Sequence, residues 1–253
     1  MSGLVYTIVD LSAYKSNLGA IGNYNTILIF NLLTTEKYVE LVGHASYIWS
    51  IIHLSDYKLN YIASASQDNT IKIWNLDTNS YVKTLNGHTN WVTTIQLFKF
   101  DSKILISASY DHNIKFWNLD SGDCMKTIGS VFGKGVLNAF YDKESYIVYG
   151  SVGNCLKVYD YQDDTEKFVL RGHTNLVNCF SNLGLFNSSY IASGSDDKTV
   201  KIWNLNTGEL VFNLTGHREC INSLVHLNYY FFPISNKPQI QYLHENRSNQ
   251  IQT

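Results

Sequence analysis

The chain has 253 residues, 45 % of them hydrophobic and 16 % charged, enough apolar material for one large all-β domain or two ordinary domains and too much for wholesale disorder. Its 19 basic and 21 acidic residues leave a net charge of -2, a balance that argues against a nucleic-acid or anionic-membrane surface, since both require a basic excess. The N-terminal MSGLVYTIVDLSAYK has no basic leader, and no apolar run reaches the roughly 18 residues of a membrane span, so neither a signal peptide nor a membrane segment is expected.

Taken in chain order, short strand signals recur. TILIFNL (26–32) comes first. SYIWSIIHL, YIASAS and TIKIWNL follow between residues 46 and 76. NWVTTIQLF, ILISAS and NIKFWNL repeat the series between 90 and 119. GVLNAF and CLKVYDY give a weaker copy between 135 and 161, and NLVNCFSNL, YIASGS and TVKIWNL a strong one between 175 and 205. β-Branched and aromatic residues dominate these runs, and IKIW alternates apolar side chains with lysine, the period-2 mark of a strand. Turn triplets such as Gln67-Asp68-Asn69 and Asp120-Ser121-Gly122 separate them.

Two markers keep time along the chain. Phe30, Trp74, Trp117, Tyr159 and Trp203 lie 44, 43, 42 and 44 residues apart. Gly-His pairs end at His44, His88, His173 and His217, spaced by 44, 85 and 44 residues, the middle interval being two periods. Several short strands in a period of about 43 residues point to the four-stranded blade of a β-propeller. With its Gly-His openings and its Trp-Asn closings in place of Trp-Asp, the chain resembles the WD40 repeat family over roughly residues 4–225. The expected fold is all-β: four-stranded antiparallel blades, five complete, with a degenerate or incomplete sixth.

Repeats end near residues 31, 75, 118, 160 and 204, and a partial sixth starts at 216. The resemblance implies a hydrogen-bonded chain of Asp, His, Ser and Trp within a blade, placed here on His44, Ser64, Asp68 and Trp74; on His88, Ser107, Asp111 and Trp117; and on His173, Ser193, Asp197 and Trp203. Repeat 1 has Tyr24 where the Asp is expected and lacks an upstream Gly-His. Repeat 4 has FGKG, Gly153 and Tyr159 at the marker positions. Those two repeats are left to apolar packing and are expected to be the softer blades.

Complete repeats separate His from Trp by 29 or 30 residues, which would put a Trp near 247, where the chain has Arg247. Both prolines, Pro233 and Pro238, fall in this stretch. The expected organisation is a propeller over 1–232 and a divergent polar tail over 233–253. At this period seven blades need about 300 residues and six about 258, more than the chain holds. A six-blade ring, an open arc completed by a partner chain, and a truncated, non-functional fragment are the three outcomes. A ring-like arc with an imperfect sixth blade is favoured.

The cysteines, Cys124, Cys155, Cys179 and Cys220, form no CxxC pair and read as reduced packing residues of a cytoplasmic chain, with the nucleus as an alternative. Four of the eight histidines sit in Gly-His pairs of separate repeats, a poor arrangement for a metal. No GxSxG elbow, phosphate-cradling loop or HExxH helix occurs. No enzymatic activity, metal or cofactor is expected.

In WD40 proteins, partners often dock around the central opening, on loops before the first and third strands of each blade. The matching positions are Tyr47, Trp49 and Gln67; Trp91, Thr93 and Tyr110; Asn138; and Leu176, Asn178 and Asp196. Repeats 2 and 3 thus supply four aromatic residues, which suit an interface, although Trp49 and Trp91 would equally suit packing between blades. The leading expectation is a scaffold for peptide segments of partner proteins, without nucleic-acid or membrane partners. The alternative is a methyl-lysine-type reader with an aromatic cage from Tyr47, Trp49, Trp91 and Tyr110.

Overall fold

The structure, a computed structural model, describes residues 5–98, 101–129, 131–141, 144–151, 154–183 and 190–224. The described residues form twenty strands and no helix. They make five antiparallel sheets of four strands, each in simple meander order. Blade 1 comprises β1 (Val5–Asp10), β2 (Leu18–Asn23), β3 (Thr26–Asn31) and β4 (Lys37–Val42). Blade 2 comprises β5 (Ile48–His53), β6 (Tyr61–Ser66), β7 (Ile71–Asn75) and β8 (Ser80–Leu85). Blade 3 comprises β9 (Val92–Leu97), β10 (Ile104–Ser109), β11 (Asn113–Asn118) and β12 (Cys124–Gly129). Blade 4 comprises β13 (Val131–Tyr141), β14 (Glu144–Ser151), β15 (Cys155–Asp160) and β16 (Thr165–Leu170). Blade 5 comprises β17 (Val177–Asn182), β18 (Tyr190–Ser195), β19 (Val200–Asn204) and β20 (Leu210–Leu214).

The strands differ in burial as their residue types dictate. The middle strands β6 and β10 are buried on both faces, which suits the small residues of YIASAS and ILISAS, because neighbouring sheets can then approach closely. The outermost strand β8 buries only Leu85 fully, and its sequence, SYVKTL, is correspondingly mixed. In all five blades the pairing between third and fourth strands slips at the marker aromatic: Phe30, Trp74, Trp117, Tyr159 or Trp203. A bulge at that point increases local twist and carries the outer strand away from the plane of its sheet.

Consecutive blades pack face to face. Ile27, Ile29 and Leu41 of blade 1 meet Ile48, Ile62 and Trp74 of blade 2, and equivalent seams join blades 2 to 3, 3 to 4 and 4 to 5. The innermost strands neighbour one another in the order β1, β5, β9, β13, β17, and no comparable contact returns from β17 to β1 among the described residues. After β20 the chain turns inward at Ile221. Its amide donates to the Ser195 carbonyl at 3.1 Å, as the amide of Ile48 donates to the Tyr24 carbonyl at 2.8 Å where blade 2 begins. A Cβ added to Gly194 would sit 2.4 Å from Ile221 Cγ2, so glycine is required for this seat. The start of the sixth repeat is therefore docked on blade 5. The proposed tail, 233–253, and Arg247 lie outside the described residues.

At the end of the blades where first strand turns into second, hydroxyl–carboxylate bonds bridge neighbours. Tyr14 of blade 1 donates to Asp77 of blade 2 at 2.7 Å, and Tyr57 of blade 2 donates to Asp120 of blade 3 at 2.8 Å. The Asp77 bond, then burial, pushes the Tyr14 phenol up to about 12; burial, then Asp120, does the same to Tyr57. Blades 1 and 4 also carry polar links beyond their ladders: Thr7 accepts from the Ile51 amide at 3.3 Å, and Lys157 pairs with Glu166 at 2.5 Å.

Candidate protein-interaction site

The site begins with three repeated polar networks. In blade 2, His44 Nδ1 lies 2.7 Å from Asp68 Oδ2, and His44 Nε2 lies 2.7 Å from Ser64 Oγ. Trp74 Nε1 donates to the same hydroxyl at 2.7 Å. Since the carboxylate only accepts, Nδ1 carries the proton, Nε2 accepts from Ser64, and the serine oxygen accepts from the indole. His88, Asp111, Ser107 and Trp117 repeat this in blade 3 at 2.7, 2.7 and 2.8 Å, and His173, Asp197, Ser193 and Trp203 in blade 5 at 2.7, 2.8 and 2.8 Å. The glycine before each histidine has a steric cause: a Cβ on Gly87 or Gly172 would meet the indole Cη2 at 3.2 Å, and both have φ near +150°.

Each aspartate also fastens two loops. Asp68 accepts from the Ala45 amide at 2.9 Å and the Thr70 amide at 3.0 Å. Burial alone would raise the Asp68 carboxyl, but bonds from His44, Thr70 and Ala45 outweigh it and hold the group well below the usual carboxylate range. Asp111 and Asp197 are lowered by the same balance. Burial holds His88 and His173 below the ordinary imidazole range despite their carboxylate neighbours. In blades 3 and 5 carboxylate and neutral imidazole are therefore the favoured pair, which leaves a negative charge beneath those loop pairs.

The fastened loops gather the aromatic residues. The Gln67 amide donates to the Tyr47 carbonyl at 2.8 Å, Tyr110 to Trp91 at 2.9 Å, and Asp196 to Leu176 at 2.9 Å. Trp49, on the first strand of blade 2, stacks on Trp91 of blade 3, with centroids 6.1 Å apart and planes 20° apart. Tyr110 meets Trp91 edge-on at 5.6 Å. Trp91 remains 39 % exposed, while Trp49, Tyr47 and Tyr110 are half-buried. Trp91 thus both packs across a blade boundary and offers surface. Gln67 is half-buried on the same loops, and Thr93 Oγ1 donates to the Ala108 carbonyl at 3.3 Å.

Leu176, Asn178 and Asp196 sit apart, in blade 5. Asn178 donates to the Asp196 carboxylate and to the Ile221 carbonyl, the latter at 3.3 Å, so this pair holds the incoming sixth repeat. Asn138 pairs with Ile147 in the blade 4 ladder, and its side chain lies outside the described residues. The sequence treated Tyr24 as a failed aspartate. Here it occupies a two-residue turn closed by the Asn23–Thr26 pair, at φ +56°, 51 % exposed and edge-on to Tyr47 at 4.4 Å. A left-handed tyrosine costs about 1–2 kcal/mol. An exposed aromatic in an Asn-Tyr-Asn turn was the available signal.

Among the described residues no three His, Cys, Asp or Glu side chains gather to hold a metal, and no helix is long and apolar enough to cross a membrane. Five twisted four-stranded sheets with these internal networks define a β-propeller of WD-type blades. The family model for the WD domain, G-beta repeat, matches residues 35–75, 79–118 and 164–204, and the chain is a WD40-repeat protein. Each matched segment joins the outer strand of one blade to three strands of the next, so the repeat is offset from the blade by one strand. The curated proteins contain no match to the chain.

Proposed function

We propose that this chain is a non-catalytic scaffold that docks peptide segments of partner proteins on the aromatic end of blades 1–3. WD40 repeats in general mediate protein–protein interaction, and the carrying observation is the continuous set Trp49, Trp91 and Tyr110 with Tyr24 and Tyr47 beside it. Their loops are held by hydrogen bonds to buried groups, so little conformational freedom is lost when a partner binds. Aromatic side chains on preorganised loops are efficient anchors. Three of the four Gly-His histidines are each engaged by an Asp and a Ser of their own blade, which supports a structural rather than a catalytic use. The four cysteines form no disulfide, which fits a reducing compartment, the cytoplasm or nucleus.

The test is capture of partners by wild type and by Trp91→Ala with Tyr110→Ala, beside a control pair at exposed blade 1 positions, Leu33→Ala with Tyr38→Ala. Loss of about 2 kcal/mol or more in binding by the rim variant, measured where circular dichroism shows it folded, with a silent control, is expected. Full-affinity capture by the rim variant would place the interface elsewhere.

A further inference from the structure

We infer that the aromatic end of blades 1–3 selects a cationic side chain, lysine or arginine, presented by an extended peptide; this rests on the docking reading above and adds the chemistry recognised. The loops at that end span residues 23–25, 43–47, 67–70, 86–91 and 110–112, and contain no lysine, arginine or glutamate. Their neutral polar residues are amide and hydroxyl: Asn23, Asn25, Gln67, Asn69, Asn86 and Asn90 with serine and threonine.

Below that neutral layer lie Asp68 and Asp111, with side chains 11 % and 3 % exposed. Both are held as carboxylates, and burial keeps His88, the partner of Asp111, toward its neutral form. Charge in a partly dry site is weakly screened, so both carboxylates contribute negative potential above these loops, with Lys72 and Lys115 acting against them from the third strands. Above them the rings stand in perpendicular pairs, Tyr24 with Tyr47 at 78° and Trp91 with Tyr110 at 86°. A perpendicular pair offers one ring face beside another ring's edge, and indole and phenol faces attract cations. Three histidines lie on these loops: His44 and His88, buried in their networks, and His112, exposed in the turn after Tyr110.

The other half of the same end carries charges of both signs. Arg171, Lys198 and Arg218 stand exposed on the loops of blade 5 and the start of the sixth repeat. Asp196, Asp197 and Glu219 stand on the same loops, so this half balances its charges, whereas the loops of blades 1–3 hold Asp68 and Asp111 with no lysine or arginine. A phosphorylated segment would be disfavoured above Asp68 and Asp111.

The experiment titrates the full chain with peptides of about 12 residues, identical except at a central arginine, lysine, trimethyl-lysine, glutamine or phosphoserine, following heat and tryptophan fluorescence. The cationic peptides are expected to bind at least tenfold more tightly than the glutamine and phosphoserine peptides. Trp91→Leu and Tyr110→Leu are expected to abolish that preference at a temperature where circular dichroism shows both variants folded. Trimethyl-lysine leading identifies a modified-lysine ligand, and arginine or lysine leading identifies an unmodified basic segment. Equal binding of the glutamine peptide, tighter phosphoserine binding, a preference that survives Trp91→Leu, or no binding of any peptide at about 1 mM overturns the inference. If partner capture still depends on Trp91 and Tyr110 in those cases, docking stands and only its cationic chemistry falls.

Discussion

Asp196 and Asp197 are adjacent carboxylates with different work. Asp197 accepts from His173 at 2.7 Å, the Thr174 amide at 3.0 Å and the Thr199 hydroxyl at 2.7 Å, and through His173 it is joined to Ser193 and Trp203. Asp196 accepts from Asn178 on the loop surface. Removing Asp197 strands several buried donors at once, a loss of about 1–3 kcal/mol. Asp197→Ala is therefore expected to lower the melting temperature by several degrees and Asp196→Ala by clearly less; equal or reversed shifts in thermal denaturation contradict the assignment. The spacing of His, Ser, Asp and Trp made these residues legible in the sequence, because a buried polar chain tolerates few residue types. Tyr24 was illegible as a contact. A turn residue at φ +56° carries no period, and its neighbour Tyr47 is distant in sequence.

At the scale of strands, the inner three of blades 2, 3 and 5 announce themselves, while in blade 1 only TILIFNL and in blade 4 only GVLNAF and CLKVYDY do. YIASAS and IKIW are short, apolar and bounded by Asp or Asn turns. The outer strands β4, β8, β12, β16 and β20 do not, since an edge strand exposed along most of its length needs little hydrophobic pattern. Contacts between blades were equally hidden, as Tyr14 with Asp77 and Tyr57 with Asp120 each span 63 residues. These two bonds tie blades 1, 2 and 3, and Lys103 adds an ion pair to Asp120 at 3.0 Å. Tyr57→Phe and Asp120→Asn, alone and together in urea denaturation, are expected to show a coupling of about 0.5–1 kcal/mol, as suits a half-exposed hydrogen bond. Additive effects would show that the bond does not tie blade 2 to blade 3.

Across the molecule, five blades follow one another as an arc, and the docked Ile221 continues the series by repeating the role of Ile48. The repeat period made this architecture readable, because every blade solves the same packing problem with the same residues. Which aromatic side chains meet was not readable, since ring contacts depend on how neighbouring blades turn relative to each other. The result is a molecule whose loop end is divided: aromatic and free of lysine, arginine and glutamate over blades 1–3, with charged side chains of both signs beside blade 5. Hydrogen exchange of the full chain, with and without a captured partner, tests this division most directly. Protection is expected in residues 43–49, 86–93 and 110–113, with residues 54–60, 76–79 and 119–123 at the opposite end unchanged. Protection confined to the opposite end or to blade 5 would contradict the account.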